Sequence, residues 1–172
     1  MIVIEKYRLR KLIENDKFNL VKYANNYNIW LNLTDSFPYP YTLHDAEKFI
    51  EFCKDQTKEL NLCIDFNGEL IGMIGVVFNN GIKQKTVDFG YWLAQPFWGQ
   101  GIMTKCASEF IKFVFSNYDI IRIQSLVFDW NKPSIRVLEK LGFVYEGKSE
   151  KAIFKDNKIT DEHRFALIKP DL

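Results

Sequence analysis

Cysteine and histidine are scarce in this sequence. Its three cysteines, Cys53, Cys63 and Cys106, lack the C-x-x-C spacing of zinc sites and redox motifs. An odd, widely spaced set argues against a disulfide framework and is typical of a reducing compartment. The two histidines, His44 and His163, show no metal-ligand spacing, so we expect no metal site.

An excess of charge of one sign is also lacking. The sequence has 23 basic and 22 acidic residues, and no lysine or arginine block gives the concentrated footprint of a nucleic-acid-binding protein. No apolar run approaches the roughly 20 residues that a transmembrane helix needs. The charged start of the chain is unlike a signal peptide. We therefore expect a cytoplasmic protein with neither nucleic acid nor membrane as a partner.

Apolar and aromatic residues, by contrast, are abundant. Hydrophobic residues make up 47% of the chain, which includes 15 Phe, 8 Tyr and 4 Trp. A chain of this length usually forms one domain and buries roughly 70% of its unfolded surface. Because no repeat or linker interrupts the pattern, we expect a single domain over residues 1–172.

The hydrophobic periodicity predicts alternating strands and helices. Their order, β-α-α-β-β-β-α-β-α-β-β, indicates a mixed α/β sheet with helices on its faces. The predicted strands cover 2–10, 62–66, 70–78, Thr86–Leu93, Arg122–Phe128, 143–154 and 162–168. The predicted helices are one capped by Asn15 with Phe18, Val21, Ala24 and Tyr27 inward, one opened by a Thr42–Asp45 capping box, Ile102–Asn117, and 133–141.

A glycine-rich turn lies between the strand Thr86–Leu93 and the helix Ile102–Asn117. Gly99 and Gly101 allow the backbone to approach a ligand without interference from a Cβ atom. The helix start has no acidic cap and carries Lys105 in its first turn, which suits an external anion at the positive end of the helix dipole. Taken alone, these glycines are equally typical of a tight strand-to-helix turn.

A second block, residues 131–147, carries a more specific pattern. It reads N-x-x-S-x-R-V-L-E-K-x-G-F-x-x-E-G, and here the sequence resembles the GNAT acetyltransferase superfamily, specifically its ribosomal-protein N-terminal acetyltransferase (RimJ/RimL-like) branch. Segments 9–10, 68–72 and 90–93 also fall where that family expects them. The resemblance implies the GNAT acyl-CoA N-acyltransferase fold, a mostly antiparallel twisted sheet with splayed middle strands and flanking helices.

The same resemblance implies an enzyme that transfers acetyl directly from acetyl-CoA to a primary amine. The pyrophosphate would lie on the glycine-rich turn, where Trp98 and Met103 depart from the family signature Q/R-x-x-G-x-G/A. A backbone amide near Trp92 or Leu93 would polarise the thioester carbonyl. Family members often dimerise, so the resemblance also allows a homodimer. The residues expected to bind coenzyme A are Trp92, Leu93, Trp98, Gly99, Gln100, Gly101, Ile102, Met103, Thr104, Asn131 and Ser134.

Two side chains are predicted to act in catalysis. Asp88 lies where this branch often carries glutamate in an E-x-G-Y motif, which makes it the candidate base. Ser134 matches the family serine near the pantetheine sulfur and is the candidate acid. Asn131 and Ser134 could equally cap the helix that follows them. The alternatives for the base are Asp35, Asp129 and Glu150.

The identity of the acceptor amine rests on a pKa difference. An α-amino group has a pKa of about 8 and a lysine one of about 10.4, so a site without a strong base favours peptide N-termini or other low-pKa amines. The aromatic loop 36–41 would form one wall of the acceptor cleft, beside Asp35. A polyamine acetyltransferase, a non-catalytic acyl-CoA sensor and an unrelated nucleotide-binding protein are the alternatives.

Overall fold

Eight strands and five helices make up the structure, a computed structural model that describes residues 1–170. The expected domain ends at residue 172, and Asp171 and Leu172 lie outside the described residues. The strands are β1 Ile2–Ile4, β2 Tyr7–Arg10, β3 Glu59–Phe66, β4 Glu69–Phe78, β5 Thr86–Leu93, β6 Arg122–Phe128, β7 Val144–Lys155 and β8 Lys158–Ile168. The helices are α1 Asp16–Ala24, α2 Tyr27–Trp30, α3 Leu43–Phe52, α4 Ile102–Asn117 and α5 Lys132–Lys140.

All eight strands belong to one sheet, in the order β1-β2-β3-β4-β5-β6-β8-β7. Neighbouring strands are antiparallel except β5 and β6, which run parallel and are joined through α4, as a parallel pair requires a crossover. This arrangement confirms the expected mixed α/β class and the mostly antiparallel sheet of the GNAT fold.

The parallel pair β5–β6 separates after a short ladder. Only Thr86–Asp88 pair with Arg122–Gln124, and the last link is the Ser125 hydroxyl, which donates to the Phe89 carbonyl at 3.0 Å. Beyond it, residues 90–93 and 126–128 have no ladder between them. We call this gap the wedge. It is the splay expected in the middle of the sheet.

Helices cover both faces of the sheet. On one face, α4 buries an apolar stripe that includes the fully buried Phe110, packed against Val87 and Phe89 of β5. On the other face, α1 and α3 bury Leu20 and Ile50 against the middle strands. The carboxyl-terminal half of β5 lies between these two apolar clusters, next to the wedge.

Several predicted elements match the structure closely. The bounds of β5, α4 and β6 are those expected. The capping box of α3 is complete, with the Asp45 amide donating to the Thr42 hydroxyl and the Thr42 amide donating to the Asp45 carboxylate. Asn67 and Gly68 have φ values of 54° and 86°, the signs that a two-residue type I′ hairpin requires.

The predicted strand over residues 2–10 is wrong, because the chain turns back at Glu5. This residue has a φ of 52°, and β1 and β2 pair with each other across the turn. A similar turn with positive φ at Asp156 and Asn157 joins β7 and β8. β8 is longer than the predicted 162–168, whereas β7 has the predicted length and is shifted by one residue from 143–154.

The predicted cap of α1 is wrong, and its predicted inward face is confirmed only at Ala24 and, in part, at Val21. The Asn15 side chain makes no capping hydrogen bond, and Asp16 instead accepts one from the Ile13 amide at 2.8 Å. Because Asp16 is itself buried, residues at i+4 and i+8 share its face, and the buried side chains are Leu20 and Ala24. Phe18 is 61% exposed.

An ionic cluster explains why α1 begins with a buried carboxylate. Arg10 donates to both oxygens of Asp16 at 2.7 and 2.9 Å and to Asp65 at 2.8 Å. Arg8 adds a contact to Asp65 at 3.2 Å. Burial alone would raise the pKa of Asp65, but hydrogen bonds from Arg10 and the Gly68 amide outweigh it and hold that pKa below its usual value.

Candidate active site

The glycine-rich turn between β5 and α4 presents unpaired backbone amides. Gly99 and Gly101 both have a φ of 73°, a left-handed conformation that favours glycine. An added Cβ would meet nothing within 4 Å at either position, so space above the turn is open. Within residues 1–170, the amides of residues 99–104 donate to no acceptor. The turn therefore has free donors at the positive end of the α4 dipole.

Side chains around this turn support its shape. The Trp98 indole donates to the Leu93 carbonyl at 2.6 Å, and the Gln100 amide donates to the Pro96 carbonyl at 3.1 Å. Ile102 and Met103 are buried in the core. Their side chains therefore face away from the turn, and only their backbone amides are available to a ligand. This placement accounts for a methionine where the family signature has a small residue.

The first turn of α4 differs in one respect from expectation. It has no acidic residue and no side-chain cap, as predicted. However, the Lys105 ammonium contacts both carboxylate oxygens of Glu5, at 2.8 and 2.9 Å. The lysine expected to suit an external anion is thus paired within the chain, although an exposed pair of this kind contributes only about 0–1 kcal/mol.

A cavity of about 650 Å³ lies on the face of the sheet opposite α4. The side chains of β5 alternate, so that Val87 and Phe89 pack towards α4 while Asp88, Gly90 and Trp92 face the cavity. The aromatic loop 36–41 forms one wall, as predicted, with the Phe37 ring 6.2 Å from the Trp92 ring. The strand β5 therefore lines both the cavity and the wedge.

Asp88 is the base candidate that lines this cavity. One carboxylate oxygen accepts a hydrogen bond from the Gln124 side-chain amide at 2.7 Å. The other accepts one from the Asn79 side-chain amide at 2.9 Å. The Gln124 carbonyl oxygen faces Arg122, which is held by Glu146. This chain of contacts orients the Gln124 amino group towards Asp88 and fixes the carboxylate.

Ser134 lies in the first turn of α5, next to Tyr91 of β5. The Ser134 hydroxyl oxygen is 2.8 Å from the Tyr91 hydroxyl oxygen, and the Tyr91 hydroxyl also lies 3.3 Å from the Ser134 carbonyl. Burial raises the pKa of Tyr91 to about 12, so its hydroxyl remains protonated near neutral pH. Asn131 caps α5 by accepting from the Ser134 amide at 3.3 Å, as the capping interpretation predicts.

The conjunction of turn, wedge and cavity agrees with a match to a known family. The family model for the acetyltransferase (GNAT) domain matches residues 6–144. The chain belongs to this family. This GNAT chain is an acetyl-CoA-dependent N-acetyltransferase, which excludes the alternative of an unrelated nucleotide-binding protein.

Known GNAT proteins resemble the chain along most of its length. The SPbeta prophage-derived uncharacterized N-acetyltransferase YokL of Bacillus subtilis (strain 168) is 26% identical over 139 residues, 80% of this chain and 77% of YokL. A structure of RimL, a ribosomal L7/L12 alpha-N-protein acetyltransferase, in complex with coenzyme A has a TM-score of 0.86 at 22% identity, covering 97% and 96% of the two chains. The spermidine N-acetyltransferase from Vibrio cholerae, in complex with CoA and spermine, has a TM-score of 0.81 at 21% identity, covering 95% of each chain. The expected resemblance to RimL-type proteins is confirmed.

The GNAT cofactor, acetyl-CoA, fits the residues present. A diphosphate needs several converging donors, which the amides of residues 99–104 supply. Residues 90–93 are not paired with β6, so an extended arm could lie along this edge of β5. Asn131 uses its carbonyl oxygen in the cap, which leaves its amino group as a donor to such an arm.

The three rival base candidates are each paired with a basic side chain. Asp35 is 85% exposed and pairs with Lys155 at 2.8 Å. Asp129 pairs with Lys132 and His163 at 2.8 Å, and Glu150 pairs with Lys148 at 3.3 Å. None of the three lines the cavity.

Among residues 1–170, no group of three metal-ligating side chains lies close enough to hold a metal ion, and no helix is long and apolar enough to cross a membrane.

Sequence reasoning missed four residues that the structure places at the site. Tyr91 was used only as part of a family block, yet it contacts Ser134. Asn79 and Gln124, which hold Asp88, come from the turn after β4 and from β6, and nothing in their local sequence marks them. Glu59 faces the cavity from β3, where its alternation with Leu60 was the available signal.

Proposed function

We propose that this GNAT enzyme acetylates the α-amine of a peptide N-terminus or small molecule, with the amine bound beside Asp88. The observation that carries the proposal is the position of β5. Its residues 88–92 line the cavity on one face, and its open edge forms one side of the wedge. An amine in the cavity and a thioester in the wedge would therefore meet across a single strand.

Binding of the cofactor is assigned to backbone groups more than to side chains. The amides of residues 99–104 would hold the pyrophosphate, with the Thr104 hydroxyl as a further donor. Asn131 and Ser134 would contact the pantetheine arm from the first turn of α5. A backbone amide near Trp92 or Leu93 would donate to the carbonyl oxygen, and such a donor can contribute about 3 kcal/mol in the transition state. Acetyl-CoA supplies the acetyl group, activated as a thioester.

Asp88 would receive the proton that the acceptor amine releases. Its two oxygens already accept from the neutral amides of Asn79 and Gln124, so its remaining lone pairs face the cavity. Deprotonating an α-ammonium near pH 7 costs about 3 kcal/mol less than deprotonating a lysine, because their pKa values are about 8 and about 10.4. The proposal therefore favours α-amines over lysine side chains.

The Ser134 hydroxyl would donate a proton to the departing sulfur, and solvent would return a proton to the serine oxygen. Tyr91 is a positioning residue in this scheme, because its hydroxyl can donate to the Ser134 oxygen and leave the serine proton free.

The cytoplasm is the proposed location, since all three cysteines are free and buried and burial raises the pKa of Cys53, Cys63 and Cys106 to about 12.

Replacing Ser134 by alanine tests the assignment of the acid. A hydrogen bond to a charged group contributes about 1.5–3 kcal/mol, so we expect kcat to fall about 10–100-fold while the affinity for acetyl-CoA measured by calorimetry changes little. Tyr91→Phe should lower kcat by about 10-fold or less and leave KM for the acceptor unchanged. Ser116→Ala, on the exposed face of α4, is the matched control. An unaltered kcat for Ser134→Ala would contradict the role.

A further inference from the structure

The centre of the cavity floor is made by two glycines on neighbouring strands. Gly75 of β4 pairs with Gly90 of β5, on the face that carries Asp88 and Trp92. Glycine weakens the interior of a strand and often marks the close approach of another backbone or a ligand. Each of these glycines therefore needs a reason.

Gly75 has a reason within the fold. A Cβ there would lie 2.2 Å from the Asn61 side-chain oxygen and 2.8 Å from the Leu60 carbonyl oxygen. The second of these atoms belongs to the backbone of β3 and cannot easily move. Gly75 is thus required by the packing of β3 on β4.

Gly90 has no such reason. Its φ is outside the left-handed region, and an added Cβ would meet nothing within 4 Å. The open space above Gly90 lies between the Asp88 carboxylate and the Trp92 ring, which flank it on the same face of β5. A side chain at this position would fill space that the cavity now offers to a bound molecule.

The walls around this space are mainly apolar. Phe37 and Tyr41 form a pair with ring centroids 5.1 Å apart, and Met73 and Val77 of β4 contribute aliphatic surface to the floor. Val77 is 41% exposed although it faces this cavity. An apolar group bound here would cover side chains that otherwise contact water.

Asp88 is one of three carboxylates in the cavity lining. Asp45 is committed to the capping box of α3, and Glu59 accepts from the Asn61 amide at 3.0 Å. Lys48, which also lines the cavity, would repel a polycation. Beyond Asp88, only Asp45 and Glu59 could pair with the further ammonium groups of a polyamine, and both already accept hydrogen bonds within the chain.

We infer that the acceptor carries an apolar substituent next to its α-amine, and that this substituent lies over Gly90 while Asp88 holds the amine. The inference rests on the proposed function and adds the chemical class of the substrate. A free apolar amino acid derivative and a polypeptide with an apolar N-terminal residue share this chemistry. Gly90 is then the position that sets the width of the acceptor site.

A matched panel of α-amines tests the inference. With acetyl-CoA and the whole chain, leucinamide and phenylalaninamide should show kcat/KM values at least about 10-fold above glycinamide and aspartic acid amide, because one added methylene in an apolar pocket is worth about 10–200-fold. A peptide with N-terminal leucine is tested in parallel. Acetylation of the peptide but not of leucinamide would identify a polypeptide N-terminus as the acceptor. Acetylation of leucinamide but not of the peptide would identify a small molecule as the acceptor.

Substitutions in the cavity floor provide a second test of the inference. Gly90→Ala should lower kcat/KM for leucinamide about 10-fold more than for glycinamide, while the unfolding midpoint stays close to that of the parent. Val77→Thr, which keeps the shape and adds a hydroxyl, should lower the leucinamide-to-glycinamide ratio several-fold. Ile82→Thr, fully exposed and outside the cavity, should leave the ratio unchanged.

The outcomes separate the two proposals. If glycinamide or aspartic acid amide is acetylated as fast as leucinamide, or if Gly90→Ala lowers all acceptors equally, the apolar-substituent inference is overturned and α-amine acetylation stands. If acetyl-CoA binds but no α-amine is acetylated, the proposed function itself fails.

Discussion

We expect the replacement of Asp88 by asparagine to lower kcat/KM for the acceptor amine by about 10²–10⁴-fold, the range typical for loss of a general base. The substitution keeps the size of the side chain but removes the group that receives the proton. It also introduces an amino group facing the Asn79 and Gln124 amides. One donor must then lose its partner, which costs about 1–3 kcal/mol of folding free energy.

The measurement is steady-state acetylation of one α-amine, together with calorimetry of acetyl-CoA binding. The affinity for acetyl-CoA should stay near that of the parent, because Asp88 faces the cavity and not the turn. Asp119→Asn is the matched control, since Asp119 is 84% exposed and pairs with Lys85. Parental kcat/KM in Asp88→Asn would mean that another group, or water, accepts the proton.

We expect the replacement of Arg10 by methionine to lower the free energy of unfolding by about 3–5 kcal/mol. Removing one partner of a buried ion pair leaves an uncompensated charge, and here two nearly buried carboxylates, Asp16 and Asp65, lose the same cation. Methionine keeps the apolar length of the side chain, so the loss reports the charge and its hydrogen bonds. Urea unfolding followed by circular dichroism measures the change.

The loss of unfolding free energy caused by Arg10→Met should be smaller at acidic pH. The pKa of Asp65 is lowered in the folded chain, so its ionised form contributes stability above the unfolded pKa of about 3.9, and this contribution disappears as pH falls through the folded value. Arg8→Met is the control, since Arg8 is 46% exposed and should cost about 1 kcal/mol or less. A loss in Arg10→Met no greater than in Arg8→Met would contradict the role of the cluster.

Local sequence patterns were sufficient to predict the strands and the helix next to the glycine-rich turn. The bounds of β5, α4 and β6 follow from periodicity, and Gly99 and Gly101 indicate the turn because their left-handed conformation requires glycine. The wedge could be expected only from the resemblance, since the ladder between β5 and β6 ends where no residue signals it.

Contacts between distant segments account for the errors and omissions. The inward face of α1 was only partly predicted because Arg10 of β2 and Asp65 of β3 fix Asp16, and their pairing depends on strand register. Asn79 reaches Asp88 through the antiparallel pairing of β4 and β5, and Gln124 reaches it only after β5 and β6 pair in parallel. Such contacts have no local signature, so the surroundings of Asp88 could not be predicted.

The position of the acetyl group on a peptide that has both an α-amine and a lysine side chain tests the central claim most directly. The chain would be incubated with acetyl-CoA and a leucine-initiated peptide, and the product analysed by fragmentation mass spectrometry, with spermidine in a parallel reaction. The account predicts acetylation at the α-amine, faster than any acetylation of the lysine or of spermidine. Faster acetylation of the lysine side chain or of spermidine would contradict it.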